Sequence, residues 1–279
     1  MVQELAPKLR LLVFTDVDGT LIDHFTYRYD EALPVLAILK TLKVPVILNT
    51  SKTFPETREL MEELGLNSPF AVENGAAVFF PEGFSPRPER CDIVLEGYCG
   101  VVFGRPHDEV RKAFLDVARS YPIRSVLDMD DEEISALTGL PPERIPPLKS
   151  RMFSEPFLME GDIQPVIEEF SRRGFRVLKG GRFYHLLSEG QDKGKVVEFV
   201  RRLYGGAVLT VGLGDGKNDE DMLRRTDLAI LIPNPKYGYA PVSVSPLRRA
   251  RCMGPKGWAE EMTHVLRKTL PLLSVSRET

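Results

Sequence analysis

Short apolar runs closed by polar residues recur along this chain, and most are too short to be helices. The first, residues 9–15 (LRLLVFT), has polar flanks and reads as a buried strand. The stretch 31–43 reads as a helix, and 44–49 (VPVILN) is a second apolar strand. Pro55 suits the first turn of a helix reaching about residue 65, because its missing N–H costs nothing there. Apolar runs on either side of Asn74-Gly75 predict a hairpin over 70–80.

A Pro/Gly-rich stretch, 81–88, then punctuates the chain, and the pattern changes beyond it. A strand-like run near 93–103 precedes an amphipathic helix over 107–120. A helix over 162–173 and strands over 175–178 and 183–187 complete a small α+β unit. From Asp192 the first pattern resumes: a helix over 194–203, a strand over 207–212, another helix, and a strand over 228–233. The fold predicted is α/β: a doubly wound, parallel, Rossmann-like core from 1–82 and 190–279, with an inserted α+β cap over 83–189.

Composition narrows the class without naming a chemistry. With 43% hydrophobic and 28% charged residues in 279, the chain matches a folded globular protein rather than a disordered one. A net charge of -3 supplies no global attraction to nucleic acid or anionic membrane, so neither is expected as a partner, and a local basic cluster inside a cleft would not show in that sum. No run approaches 18 apolar residues, and the N-terminus lacks the apolar core of a secretory signal. Cys91, Cys99 and Cys252 are odd in number and lack metal-type spacing, so free thiols in a reducing cytoplasm are expected.

Four motifs fall at or near predicted strand ends. In Phe14-Thr-Asp-Val-Asp-Gly-Thr20, Asp16 and Asp18 stand two residues apart and point to one side of extended backbone. Carboxylates this close repel unless a cation lies between them, which favours a hard, oxygen-bound divalent ion. Asn49-Thr-Ser-Lys52 offers the hydroxyls of Thr50 or Ser51 and the Lys52 ammonium to phosphate oxygens, although Thr-Ser before a helix also serves as an N-cap. Lys193 opens a helix, where a lone lysine is ordinarily solvated. Gly212-Leu-Gly-Asp-Gly-Lys-Asn-Asp219 places Asp215 at a strand end, with Asn218 and Asp219 in the turn behind it. A second acidic pair at a second strand end is hard to explain by stability and easy to explain as the other half of a metal site.

The four motifs, in this order, resemble the haloacid dehalogenase-like phosphatase superfamily over about two-thirds of the chain. The resemblance implies Asp16 as a nucleophile forming an aspartyl-phosphate and Asp18 as the acid/base for the leaving oxygen. It implies Thr50 or Ser51, with Lys52 and Asn218, as phosphate-binding groups, and Lys193 as the lysine that neutralises the phosphoryl group. Asp16, Asp18 (through its carbonyl), Asp215 and Asp219 would hold Mg²⁺, or alternatively Mn²⁺ or Co²⁺.

The position of the insertion resembles the branch with a large α/β cap. Within that branch, 50–53 (TSKT), 72–75 (VENG), 151–156 (RMFSEP), 181–185 (GRFYH) and 254–258 (GPKGW) resemble mannosyl-3-phosphoglycerate phosphatases. A substrate with a phosphate, a carboxylate and a hexose is implied. Cap residues Arg151, Arg182 and His185 are then candidates for the carboxylate or sugar, and Ser154 and Glu155 for sugar hydroxyls. Plainer readings stand beside these: an Arg151–Glu155 ion pair, a satisfied strand histidine at 185, and a purely turn-forming role for Glu73 and Asn74. The alternatives are a sucrose-phosphatase-like or other sugar-phosphate phosphatase, a phosphohexomutase, or a non-catalytic sugar-phosphate-binding module.

Overall fold

The computed structural model describes residues 9–271 and Leu273. Its first motif is β1 (Arg10–Thr15), α1 (Leu33–Thr41), β2 (Val46–Asn49), α2 (Phe54–Glu63) and β3 (Phe70–Val72). These are followed by β4 (Ala77–Pro81), β5 (Ile93–Leu95) and β6 (Tyr98–Val102). The middle holds α3 (His107–Ala118), β7 (Ile123–Ser125), α4 (Asp131–Thr138), α5 (Ile145–Lys149) and β8 (Glu155–Met159). It closes with α6 (Gln164–Arg172), β9 (Phe175–Lys179) and β10 (Tyr184–Ser188). The chain then returns through α7 (Lys193–Tyr204), β11 (Val208–Gly214), α8 (Glu220–Arg225), β12 (Leu228–Leu231), β13 (Leu247–Arg249) and α9 (Gly254–Thr269).

Nine strands form one sheet in the order β13-β12-β11-β1-β2-β3-β4-β6-β5. From β13 to β3 every pairing is parallel, and β4, β6 and β5 extend the sheet antiparallel. Strand alternation sorts the core into two layers. Leu11, Val13, Val46 and Leu48 pack with Leu36 of α1, Met61 of α2, and Trp258 and Met262 of α9. Leu12, Phe14 and Ile47 point the other way, onto Val196, Val197 and Val200 of α7 and Met222 of α8. The doubly wound core is therefore borne out.

A four-stranded antiparallel sheet, β7-β8-β10-β9, makes the second layer system. One face buries Val110, Phe114 and Val117 of α3 with Val166 and Phe170 of α6. A separate small cluster joins Val126, Met129, Ile134, Ile145 and Leu148.

Two expectations change. Residues 93–103, grouped with the insertion and read as one strand, form the β5–β6 hairpin, and β6 pairs with β4 in the large sheet. Their apolar alternation suits either sheet, and only the long-range pairing decides. Cys91 and Cys99 are not free thiols but a disulfide, with Cα atoms 5.4 Å apart across that hairpin. Reversal of the chain at Glu96-Gly97 brings together residues eight apart, which spacing alone did not reveal. Cys252 is free. Among the described residues no helix is long and apolar enough to cross a membrane.

Candidate active site

Because β1, β2, β11 and β12 run parallel, their carboxyl ends open on one edge of the sheet, where loops carrying polar side chains converge. β1 delivers Asp16, whose backbone N–H donates to Leu213 O at 2.9 Å and so fixes the Asp16 loop to β11. Gly19 turns the chain away at φ 81°, and a Cβ there would collide with Asp215 Oδ2. Glycine thus permits the two acidic loops to touch.

Lys193 is not a solvated helix residue. It is 1% exposed and donates to Asp16 Oδ1 and Asp219 Oδ1, each at 2.6 Å. Asn49 at the end of β2 donates to its carbonyl at 2.8 Å, and Asp192 caps its helix by accepting from Lys195 N. Burial alone would lower the Lys193 ammonium, but Asp16 and Asp219 outweigh it and hold the group above its ordinary value.

Asp16, Asp215 and Asp219 are all buried and close enough to present oxygens to one ion. Burial, then Asp219, pushes the Asp16 carboxyl up to about 7 despite Lys193. Burial, Asp16 and Asp219 likewise raise Asp215 well above the usual carboxylate range. Three carboxylates facing one ammonium leave a deficit of positive charge, and an all-oxygen donor set suits a hard divalent cation. The residues present fit such an ion.

The three are not equivalent. Asp219 has Oδ1 on Lys193 and Oδ2 on the N–H groups of Asp215 and Gly216, at 3.0 and 2.9 Å. It organises its loop, and neither oxygen is left without a protein partner. Asp215 Oδ2 accepts from Asn234 Nδ2 at 2.6 Å. Asp18 points elsewhere: its Oδ2 pairs with Lys52 Nζ at 2.9 Å, while Oδ1 is buried without a partner. Burial would lower the Lys52 ammonium, yet Asp18 and Glu56 hold it above its ordinary value.

Above this cluster lies a cavity of about 490 Å³, bounded by core and insertion together. Asp16, Asp18, Ser51, Lys52, Asp215 and Asn218 line the core side, and Arg151, Arg182 and His185 line the other. Thr50 does not: it is fully buried and its hydroxyl accepts from Lys52 N, so Ser51 is the hydroxyl that faces the cavity. Arg151 reaches across to Ser51 O at 2.7 Å and approaches Glu56 at 4.0 Å, so no Arg151–Glu155 pair forms. Arg182 donates to Tyr27 OH at 3.0 Å.

Two cap candidates lie outside the cavity. Glu155 is fully buried in the interior of the insertion, held by His107 Nε2 at 2.7 Å, Arg111 and Ser125. Ser154 donates to Glu73 Oε2 at 2.6 Å. Glu73 also accepts from Met152 N at 2.8 Å and Phe153 N at 3.0 Å. Its role therefore exceeds the hairpin turn, since one core carboxylate holds the segment 152–154. Both corrections arise from partners dozens of residues away in sequence.

Residues that motif reading missed include His24, Tyr27, Lys179, Lys236 and Tyr237, all on the cavity wall, and Asn234 behind it. Asn234 was findable, because it follows β12 at the same strand edge. His24, Tyr27, Lys236 and Tyr237 sit in loops with no local signature, and Lys179 is the last residue of β9.

A family model described as haloacid dehalogenase-like hydrolase matches residues 13–84. A glucosyl-3-phosphoglycerate/mannosyl-3-phosphoglycerate phosphatase of Persephonella marina is 42% identical over 262 residues, 92% of this chain and 97% of its own. A protein of the same name from Methanococcoides burtonii is 34% identical, over 93% of this chain and 98% of its own. The solved structure of a phosphatase of the haloalkanoate (HAD) enzyme superfamily from Bacteroides thetaiotaomicron superposes with a TM-score of 0.65. It is 14% identical, over 94% of this chain and 98% of that one. The chain belongs to the haloacid dehalogenase-like hydrolase family. The resemblance carried by the four motifs is thereby borne out, and its nearer likeness is to the phosphatases named for hexosyl-phosphoglycerates.

Proposed function

We propose that the protein is a phosphomonoester hydrolase that dephosphorylates glucosyl-3-phosphoglycerate or mannosyl-3-phosphoglycerate. The observation that carries this reading is the buried Asp16, bonded to Lys193 on the floor of a cavity lined by further cations. Lys52, Arg151, Lys179, Arg182, Lys217 and Lys236 line that cavity. Such a wall suits a substrate with a carboxylate in addition to its phosphate. The two relatives that share 42% and 34% of their aligned residues carry that substrate in their names.

In this reading Asp16 attacks phosphorus and the ester bond breaks, leaving an aspartyl-phosphate. Asp18 gives its proton to the departing alkoxide, then takes one from the water that hydrolyses the acyl-phosphate. Lys193, Ser51 and the Asn218 amide hold the phosphoryl oxygens, and Lys52 keeps Asp18 in place. Asp16, Asp215 and the Asp18 carbonyl would hold Mg²⁺, or Mn²⁺ or Co²⁺ in its stead, with Asp219 fixing the loop. When bound, the ion would supply positive charge to offset that of an anionic nucleophile and a dianionic ester.

The large sheet with its helices, 9–103 and 190–271, serves as the catalytic core, and 104–189 as the cap that reads the substrate. Arg151 and Arg182 meet the carboxylate. Phosphate release across hexosyl-phosphoglycerates, sucrose phosphate, hexose phosphates and a hexose bisphosphate tests the reading. Preference for a hexosyl-phosphoglycerate, lost in EDTA and restored by Mg²⁺, is expected. Preference for another ester, or full activity without metal, overturns it.

A further inference from the structure

Two buried imidazoles border the cavity with a ring nitrogen that no protein group engages. His24 follows the nucleophile loop, is 6% exposed, and has no partner for Nε2. His185, on β10, is also 6% exposed and has none for Nδ1. Both line the same cavity, one from the core and one from the cap. Both also pack against the β9–β10 turn at adjacent glycines. A Cβ on Gly180 would lie 2.8 Å from His185 Nε2, and one on Gly181 would lie 3.3 Å from His24 Cε1. The turn thus closes on both rings without a side chain between them.

The chemistry of the pair differs from that of the rest of the wall. Burial first, then Arg182 and Lys236, lowers the His24 imidazolium. Burial first, then Arg151 and Lys193, lowers that of His185 to about 3. A neutral imidazole carries one donor and one acceptor, which matches a hydroxyl. Phosphate and carboxylate offer acceptors only and already have the cations. A buried nitrogen left without a partner is costly, and a bound hydroxyl removes that cost.

We infer that His24 and His185 form the hydroxyl-reading wall of the cavity and take the hexose of the substrate, with one ring supplied by each side of the cleft. The identity of the hexose rests on the function proposed above; the pairing of neutral rings with hydroxyls does not.

The test is kcat/KM of His24→Ala, His185→Ala and His24→Gln on mannosyl-3-phosphoglycerate and on 3-phosphoglycerate, which lacks only the hexose. Each alanine variant should lose at least tenfold more on the hexosyl ester than on 3-phosphoglycerate, and His24→Gln should recover part of that difference. A merely structural role predicts equal losses, and a ratio within twofold of wild type for both alanine variants overturns the inference. Should either alanine variant fail to fold, the phenylalanine variant at that position, which keeps the bulk of the ring without its nitrogens, supplies the ratio in its place. If the wild type prefers another polyhydroxylated ester, the proposed substrate fails. The ratio taken with that ester and its dehydroxylated counterpart then decides the histidine assignment separately.

Discussion

Asp16→Asn should make the metal-free protein more stable and, in the mechanism proposed above, abolish turnover at the same time. Asp16 is buried beside Asp215 and Asp219, with Lys193 as the cation bonded to it. Burial first, then Asp219, lifts its pKa from 3.8 to about 7. Between those values the folded protein holds a proton that the unfolded chain has released, so stability falls as pH rises through that window and stays low above it. About three pH units at about 1.4 kcal/mol each set an upper bound of about 4 kcal/mol. Asn mimics the protonated acid and keeps an oxygen for Lys193 Nζ, so Asp16→Asn should recover much of this at pH 8.

Urea unfolding in EDTA at pH 8 and pH 5, repeated with Mg²⁺, measures the effect. In EDTA at pH 8 the variant should unfold at higher urea than wild type. At pH 5 the gap should shrink to less than half, since most of the window then lies above the working pH. With Mg²⁺ the order should reverse, because the wild-type carboxylate gains a partner that the amide cannot replace. A metal-free variant less stable than wild type at pH 8, or a gap independent of pH, would refute the charge-deficit account of the cluster.

Two further outcomes are expected. Asp18→Asn should depress hydrolysis of the sugar-phosphoglycerate ester by roughly 10²–10⁴-fold more than that of para-nitrophenyl phosphate, whose leaving group needs little proton assistance; equal losses, with chemistry still rate-limiting in burst kinetics, would remove Asp18 as the acid. Glu73→Gln puts a donor where the carboxylate accepts from Met152 N, Phe153 N and Ser154 Oγ, and should cost about 2–4 kcal/mol. An unchanged urea midpoint, or no new proteolytic cleavage near 147–154, would count against the docking role.

The core was legible in the sequence because its signals are local. A run such as 9–15 declares a buried strand by itself, and Asp16 and Asp18 stand out as a candidate acidic pair by their spacing of two at its end. Lys193 became legible only as part of the ordered set. The cap was harder, since its polar residues take partners far along the chain. Glu155 meets Arg111 and His107, 44 and 48 residues away, and Ser154 meets Glu73, 81 away. Strand β8 begins Glu155-Pro156, and a proline there weakens any strand reading. Helices α4 and α5 are eight and five residues long, too short for periodicity to separate from turn composition.

The distribution of charge, more than its total, gives the cavity a direction. At the floor, Asp16, Asp18, Asp215 and Asp219 face Lys193 and Lys52, an excess of two negative charges that one divalent cation balances. On the wall, Arg151 and Arg182 make their close hydrogen bonds to Ser51 O, Leu148 O and Tyr27 OH, none of which carries charge. Their positive charge remains available to an anion, with only Glu56 at 4.0 Å from Arg151. Two imbalances of opposite sign therefore lie along one cavity, and a net charge of -3 for the chain conceals both. A phosphate can approach the acidic floor only with the cation in place, while a carboxylate has no reason to approach it at all. In the function proposed above, an ester bearing both groups would be oriented before any contact with the sugar is made, phosphate toward Asp16 and carboxylate toward the arginines.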